Sequence, residues 1–122
     1  MNHNNIGIIY CDLGDSPRGL KHFKKSLRIL EEKGDNYGIA SLLLNIGDVY
    51  FEQGDYPQTR ENLEKAIKLY EEIGDKHGVS ISLNNMGNVY YLEGNYNIAM
   101  DHYQKALAIR EEIGDKQGIA AT

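Results

Sequence analysis

Residues that could do chemistry are few in this chain, and they stand apart from one another. The conventional ligands and nucleophiles come down to four histidines and one cysteine. His22 and His102 occupy equivalent positions in a repeated pattern, and His3 and His77 lie near the starts of helical segments. None has a Cys, His or carboxylate at a metal-ligand spacing such as H-E-x-x-H, so packing or solvation accounts for them and no metal site is expected. Cys11 has no motif around it, and Phe51 and Tyr91 take its place in the later units, which points to a packing position rather than a reactive thiol. The Glu-Glu pairs at 31, 71 and 111 are adjacent in sequence. Adjacent residues point to different sides of a helix and cannot work together as an acid and a base. The glycines lack the phosphate-loop spacing G-x-x-x-x-G-K-[ST]. Lys21, Lys24, Lys25 and Arg28 read as a solvated basic face. With no nucleophile, base or metal set assembled, the expectation is a non-enzymatic protein with no cofactor.

One constellation remains, and it is made of amides. Asn5, Asn45 and Asn85 are forty residues apart, and the same period runs through the whole chain without a gap. Twelve of the 13 glycines fall on four positions that recur three times, and only Gly19 stands outside them. Tyr10, Tyr50 and Tyr90 align, as do Lys25, Lys65 and Lys105. A fixed period of this length marks a repeat architecture. The units run 1–40, 41–80 and 81–120 within one domain spanning 1–122.

Each unit carries two turn signals. Gly14-Asp15, Gly54-Asp55 and Gly94-Asn95 close the first half, and Gly34-Asp35, Gly74-Asp75 and Gly114-Asp115 close the second. A glycine that ends one helix in the left-handed conformation, followed by an Asp or Asn that caps the next, makes a very short helix-to-helix connection. Pro17 and Pro57 then fall in the first turn of a second helix, where their missing N–H is not needed. The helices so bounded are about eighteen residues long, roughly 27 Å at 1.5 Å per residue. Leu43, Ile46, Gly47 and Tyr50 share one helical stripe, and Leu63, Ala66, Ile67 and Tyr70 share another. A glycine in a helix interior costs about 1 kcal/mol against alanine. Its recurrence at 7, 47 and 87 predicts close approach of the paired helix, where any side chain would clash. Glu61–Lys65 is an i,i+4 pair on the outer face. The fold class expected is all-α: an α-solenoid of three antiparallel helix-turn-helix units, with residues 116–122 opening a truncated fourth helix A.

These units resemble tetratricopeptide repeats in their forty-residue form. The family's small residue in helix A, the aromatic three positions on and the small residue in helix B are met by Gly47, Tyr50 and Ala66. The third unit meets them with Gly87, Tyr90, Ala99, Tyr103 and Ala106. The stretch from Asn85 to Asp115 is similar to repeats of the Leu-Gly-Asn spindle-orientation regulators and of bacterial signalling proteins. The resemblance implies a right-handed superhelix whose helices A line a concave groove, and a role in binding other proteins. The first unit departs most, with His3, Gly19 and Ser26 at family positions, and Glu31, Glu71 and Glu111 replace the closing proline.

The helical wheel now places the amides. With Leu43, Ile46, Gly47 and Tyr50 on the packing side, residues 41, 45, 48 and 52 face away, as do their equivalents in each neighbour. The candidate binding residues are Asn5, Asn45, Asp48, Glu52, Asn85 and Asn88. An amide offers both donors and an acceptor, which suits the backbone of an extended peptide. Equally, Asn45 and its equivalents could simply bridge neighbouring helices. By resemblance, Asn at this position contacts peptide ligands in several family members. The stripe holds Asp12, Asp48 and Glu52 and no Lys or Arg, unlike the family's clamp for acidic carboxylate tails. A neutral or basic segment is therefore the expected partner.

Composition closes off other classes. A formal charge of −5 argues against a nucleic-acid partner. Without a run of eighteen apolar residues nothing is expected to span a membrane. The segment MNHNNIGIIYCDLGD has no signal-peptide pattern. One cysteine cannot close an internal disulfide, so a reducing compartment, the cytoplasm, is the expected location. Internal repeats bury apolar surface on both sides, so a second reading is a homo-oligomer, stacked end to end or exchanging a helix through exposed ends.

Overall fold

The computed structural model describes residues 8, 14 and 16–121. Within that range the chain forms five helices: α1 (Ser16–Lys33), α2 (Asn36–Glu52), α3 (Tyr56–Ile73), α4 (Lys76–Leu92) and α5 (Tyr96–Ala121). In terms of the repeat, α1 is the second helix of the first unit, α2 and α3 are the second unit, and α4 and α5 are the third. No described helix is long and apolar enough to cross a membrane.

The connections follow from the Gly-Asp dipeptides. Gly34, Gly54, Gly74 and Gly94 have φ of 69°, 78°, 75° and 84°. At each, the glycine N–H reaches a carbonyl three residues back, and the next residue's N–H reaches one five residues back. At the second unit's end these are Gly74 to Glu71 at 3.2 Å and Asp75 to Tyr70 at 2.9 Å. This double bond satisfies carbonyls that the ending helix would otherwise leave orphaned. The same aspartate then caps the following helix. Asp35 accepts from the Gly38 N–H at 2.9 Å, Asp55 from Gln58 at 3.3 Å and Asp75 from Gly78 at 3.1 Å. One dipeptide therefore ends one helix and starts another, which forces consecutive helices into antiparallel contact.

Packing is sequential. Each helix packs on its neighbour in the chain, and α2 also meets α4, so the first helices of adjacent units lie side by side. Phe23, Leu42, Ile46 and Val49 join α1 to α2. Ala40, Leu43, Ala66 and Tyr70 join α2 to α3, with Val79 of α4 packed against them. Leu63, Met86 and Val89 join α3 to α4, flanked by Phe51, Tyr56 and Ile67. The core is thus a chain of linked clusters, one for each helix contact, as a solenoid requires. Thr59, Ser80 and Ser82 are buried among these clusters, and each hydroxyl donates to a carbonyl three or four residues back, in its own helix or, for Thr59, in the Asp55 cap, at 2.8–2.9 Å. A buried hydroxyl is satisfied locally in this way without a partner from another element.

Three expectations need correction. The glycine stripe does not mean uniform close approach. A Cβ on Gly87 would lie 2.6 Å from the Tyr103 ring, but one on Gly47 would meet Leu63 at an ordinary 3.7 Å. The helix break expected at Gly114-Asp115 is absent, because α5 runs on to Ala121. Ser41, assigned to the open face, pairs with the Tyr70 hydroxyl at 3.0 Å and so faces α3. Asn5 and Cys11 lie outside the described residues.

Candidate functional site

The open face of the array is built by α2 and α4. Asn45 and Asn85 hold the same position on these two helices, and both are half-buried. Asp48 is one turn further along α2 and is accessible. A recess of about 80 Å³ lies between the helices, lined by Asp48, Phe51, Thr59, Leu63, Asn85 and Asn88. Its floor is apolar because Phe51 and Leu63 belong to the cluster joining α3 to α4. Its rim is polar because the helical period carries residue 48 of α2 and residues 85 and 88 of α4 to the same side. The volume admits a few waters or the polar head of one side chain.

Asn88 is held in place. Its Oδ1 accepts a hydrogen bond from the Tyr103 hydroxyl of α5 at 2.5 Å. Burial pushes the Tyr103 phenol above its ordinary value of 10.0, with nearby Tyr91 adding to the shift, so it remains a donor at neutral pH. With the oxygen committed to α5, Asn88 presents its amide nitrogen as the donor end.

Asp48 carries the electrostatics of the site. Although Asp48 is exposed as a residue, partial burial of its carboxyl beside the recess raises the pKa above the ordinary 3.8, and the Glu52 charge one turn on raises it further. A carboxyl raised in the folded state binds its proton more tightly there than in the unfolded chain. Its contribution is therefore neutral below the ordinary value, becomes destabilising as pH rises through the window above 3.8, and stays so at neutral pH. Replacing Asp48 with Asn is expected to raise the melting temperature at pH 7. That gain should shrink and vanish as the pH falls below 3.8. Paired melts of the two proteins across pH test this, and a gain independent of pH would assign the effect to something other than the charge.

Of the residues singled out from the sequence, Asp48, Asn85 and Asn88 come together around the recess. Asn45 is already engaged within the fold and is not part of its lining, and Glu52 is exposed and acts on the recess through Asp48. The apolar walls Phe51 and Leu63 and the small Thr59 escaped the sequence reading, since they come from packing positions. A larger groove of about 650 Å³ lies between α3, the start of α4 and the end of α5. Ile67, Val79, Leu83 and Ile109 wall it, and the Lys76–Glu112 ion pair belongs to its lining. No sequence signal pointed there. His102 packs on Tyr90 with ring centroids 5.1 Å apart, and its Nδ1 lies 2.9 Å from the Ile98 carbonyl. Among the described residues no group of three or more His, Cys, Asp or Glu could hold a metal ion.

Comparison with known proteins agrees with this architecture. The chain is similar in structure to BtubC (BKLC) from P. vanneervenii, with a TM-score of 0.85 and 21% identity, over 92% of this chain and 46% of that one. It is also similar to the apo form of RapI, with a TM-score of 0.76 and 28% identity, over 92% of this chain and 40% of that one. It spans less than half the length of either structure. No curated protein matches it in sequence. The tetratricopeptide repeat model matches residues 1–72 and again 38–112. With the forty-residue period, the paired helices and the Gly-Asp connections, this match establishes that the chain belongs to the tetratricopeptide repeat family, a family of protein-interaction modules.

Proposed function

We propose that the face formed by α2 and α4 binds an extended peptide or a partner's helix, and that the chain acts as a non-enzymatic interaction module in the cytoplasm. The observation that carries this reading is the convergence of Asp48, Asn85 and Asn88 on one recess between adjacent helices A. Asn85 offers an amide donor and acceptor, and Asn88 an amide donor, to a peptide backbone or a polar side chain. Asn5 and Asn45 hold the same repeat position as Asn85 in sequence, which makes them the candidate counterparts of Asn85 in the first two units. Asp48 and Glu52 give the face a negative sign and no Lys or Arg lines the recess, which favours a neutral or basic segment over an acidic one.

The test is a peptide library screened by fluorescence anisotropy, followed by the Asn45→Ala, Asn85→Ala double variant. Hydrogen bonds of this kind contribute about 0.5–1.5 kcal/mol each, so the pair should weaken binding by about 5- to 150-fold. Circular dichroism melts should show the fold retained. Unchanged affinity in the double variant would remove the amide row from the binding face. Enrichment of acidic peptides would overturn the charge preference.

A further inference from the structure

The outer stripe of α1 carries charge that the fold does not use. Lys21, Lys24, Lys25 and Arg28 are all exposed and stand at i, i+3, i+4 and i+7, so they share one face over about two helical turns. No carboxylate among the described residues pairs with any of them. The equivalent positions in α3 are Glu61, Glu64, Lys65 and Lys68, whose charges cancel, and Lys65 pairs with Glu61 at 3.4 Å. In α5 Asp101 and Lys105 cancel in the same way. The stripe is therefore strongly positive in the first unit and neutral in the next two.

The repeat itself leaves this face open. α3 belongs to the middle unit, with helices of the first and third units on either side of it, and Glu61, Glu64, Lys65 and Lys68 are nonetheless all exposed. A neighbouring repeat does not cover these positions. Helix stability does not account for the stripe either. Lys21 with Lys25 and Lys24 with Arg28 are like charges at i,i+4, which weakens a helix, whereas α3 sets acid against base at the same spacing. Nor does overall charge account for it. α1 holds six Lys or Arg against two Glu, while the rest of the chain holds seven against sixteen Asp or Glu. The molecule is thus +4 on one helix and −9 elsewhere, a polarity that steers and orients a charged partner.

We propose that this face of α1 docks an acidic helical segment of another protein, with Asp or Glu side chains at the same i, i+3, i+4, i+7 spacing. Two helices share one rise per residue, so carboxylates at that spacing meet the four cations together and form charge-assisted hydrogen bonds. A nucleic acid or an anionic membrane fits less well, because its negative charge runs on past two turns. Glu31 and Glu32 follow the stripe on α1 itself, and the acidic remainder of the chain would repel the rest of such a surface. The stripe lies on the second helix of a unit, whereas the recess lies between the first helices α2 and α4. The inference therefore stands independently of the peptide-binding reading.

The probes are two fluorescein-labelled helical peptides of one composition, the first with Glu on a single face at that spacing and the second with the same Glu spread evenly around the helix. Anisotropy with the full chain should show binding of the first, weakening as salt rises, and binding of the second about tenfold weaker or less. Lys21→Glu with Lys24→Glu installs the residues that α3 already carries at these positions. That variant should keep its helical spectrum and melting temperature and lose about tenfold or more in affinity for the first peptide. The Asn45→Ala, Asn85→Ala variant should bind that peptide as the wild type does, which tells an acidic segment held by α1 from one held at the recess. No binding, equal binding of the two peptides, a charge-reversed variant that binds as before, or loss of binding in the asparagine variant would each overturn the proposal. So would tighter binding of duplex DNA or phosphatidylserine vesicles than of the peptide, or a two-chain mass in light scattering that the charge reversal abolishes.

Discussion

Leu63→Ala is expected to cost about 2–5 kcal/mol, the range for emptying a fully buried leucine site. Leu63 is 1% exposed and joins Met86 and Val89 across the α3–α4 contact. Its Cδ2 and Cγ also lie 3.7 Å from the point where Gly47 would carry a Cβ, so one side chain holds three helices together. Native domains are stable by only about 5–15 kcal/mol, so a loss of this size takes a large share of the total. The position matters as much as the size. In a repeat array each unit is held mainly by its neighbours, and Leu63 sits at the coupling between the second and third units. The urea transition should therefore move to lower midpoint and also broaden, as the third unit begins to melt before the second. Urea titration followed by far-ultraviolet circular dichroism measures both. A loss below about 1 kcal/mol would mean that the neighbours close over the gap and that the contact is softer than its burial indicates.

The second large effect is a difference in sign between two equivalent glycines. Gly87→Ala places a Cβ 2.6 Å from the Tyr103 ring. The ring cannot easily retreat, because its hydroxyl is held by Asn88. Overpacking of this kind costs about 1–3 kcal/mol, which outweighs the roughly 1 kcal/mol that alanine gains over glycine in a helix. Gly47→Ala meets only ordinary contacts with Leu63 and Asn62, at 3.7 and 3.8 Å. That variant should keep the helix gain and be stabilised by up to about 1 kcal/mol. Thermal melts of the two variants should move in opposite directions. The Gly87→Ala, Tyr103→Leu double variant recreates the pairing of the second unit and should recover most of the loss. Two shifts of the same sign would show that the residue opposite does not set the tolerance at this position.

These two contrasts also separate what could be read along the chain from what could not. The forty-residue period, the lengths of α1 to α4, the left-handed glycines at 34, 54, 74 and 94 and the aspartate caps were legible, because each depends on residues within a few positions of one another. Gly74 and Asp75 need only Tyr70, Glu71 and Gly78 to make their turn, and all five lie within nine residues of sequence. The choice of helix A as the bearer of polar, non-core residues was legible for the same reason, since the helical period alone sorts faces.

Contacts across helices were not legible. Gly47 and Gly87 are the same residue at the same repeat position, and only the side chain opposite, Leu63 or Tyr103, decides whether the space is needed. Ser41 lies on the same side of the wheel as Asn45, yet the Tyr70 hydroxyl draws it toward α3. Asp48, Asn85 and Asn88 share a recess only because α2 and α4 lie side by side, which no spacing within one helix states. Gly114-Asp115 repeats the wording of Gly74-Asp75, yet α5 continues through it to Ala121, so the dipeptide alone does not make the turn. Sequence by itself determined the local grammar, because backbone geometry and capping act at short range. Tertiary structure alone decided which repeated residues clash, which converge and which stay open, because those outcomes depend on the partner that packing brings opposite.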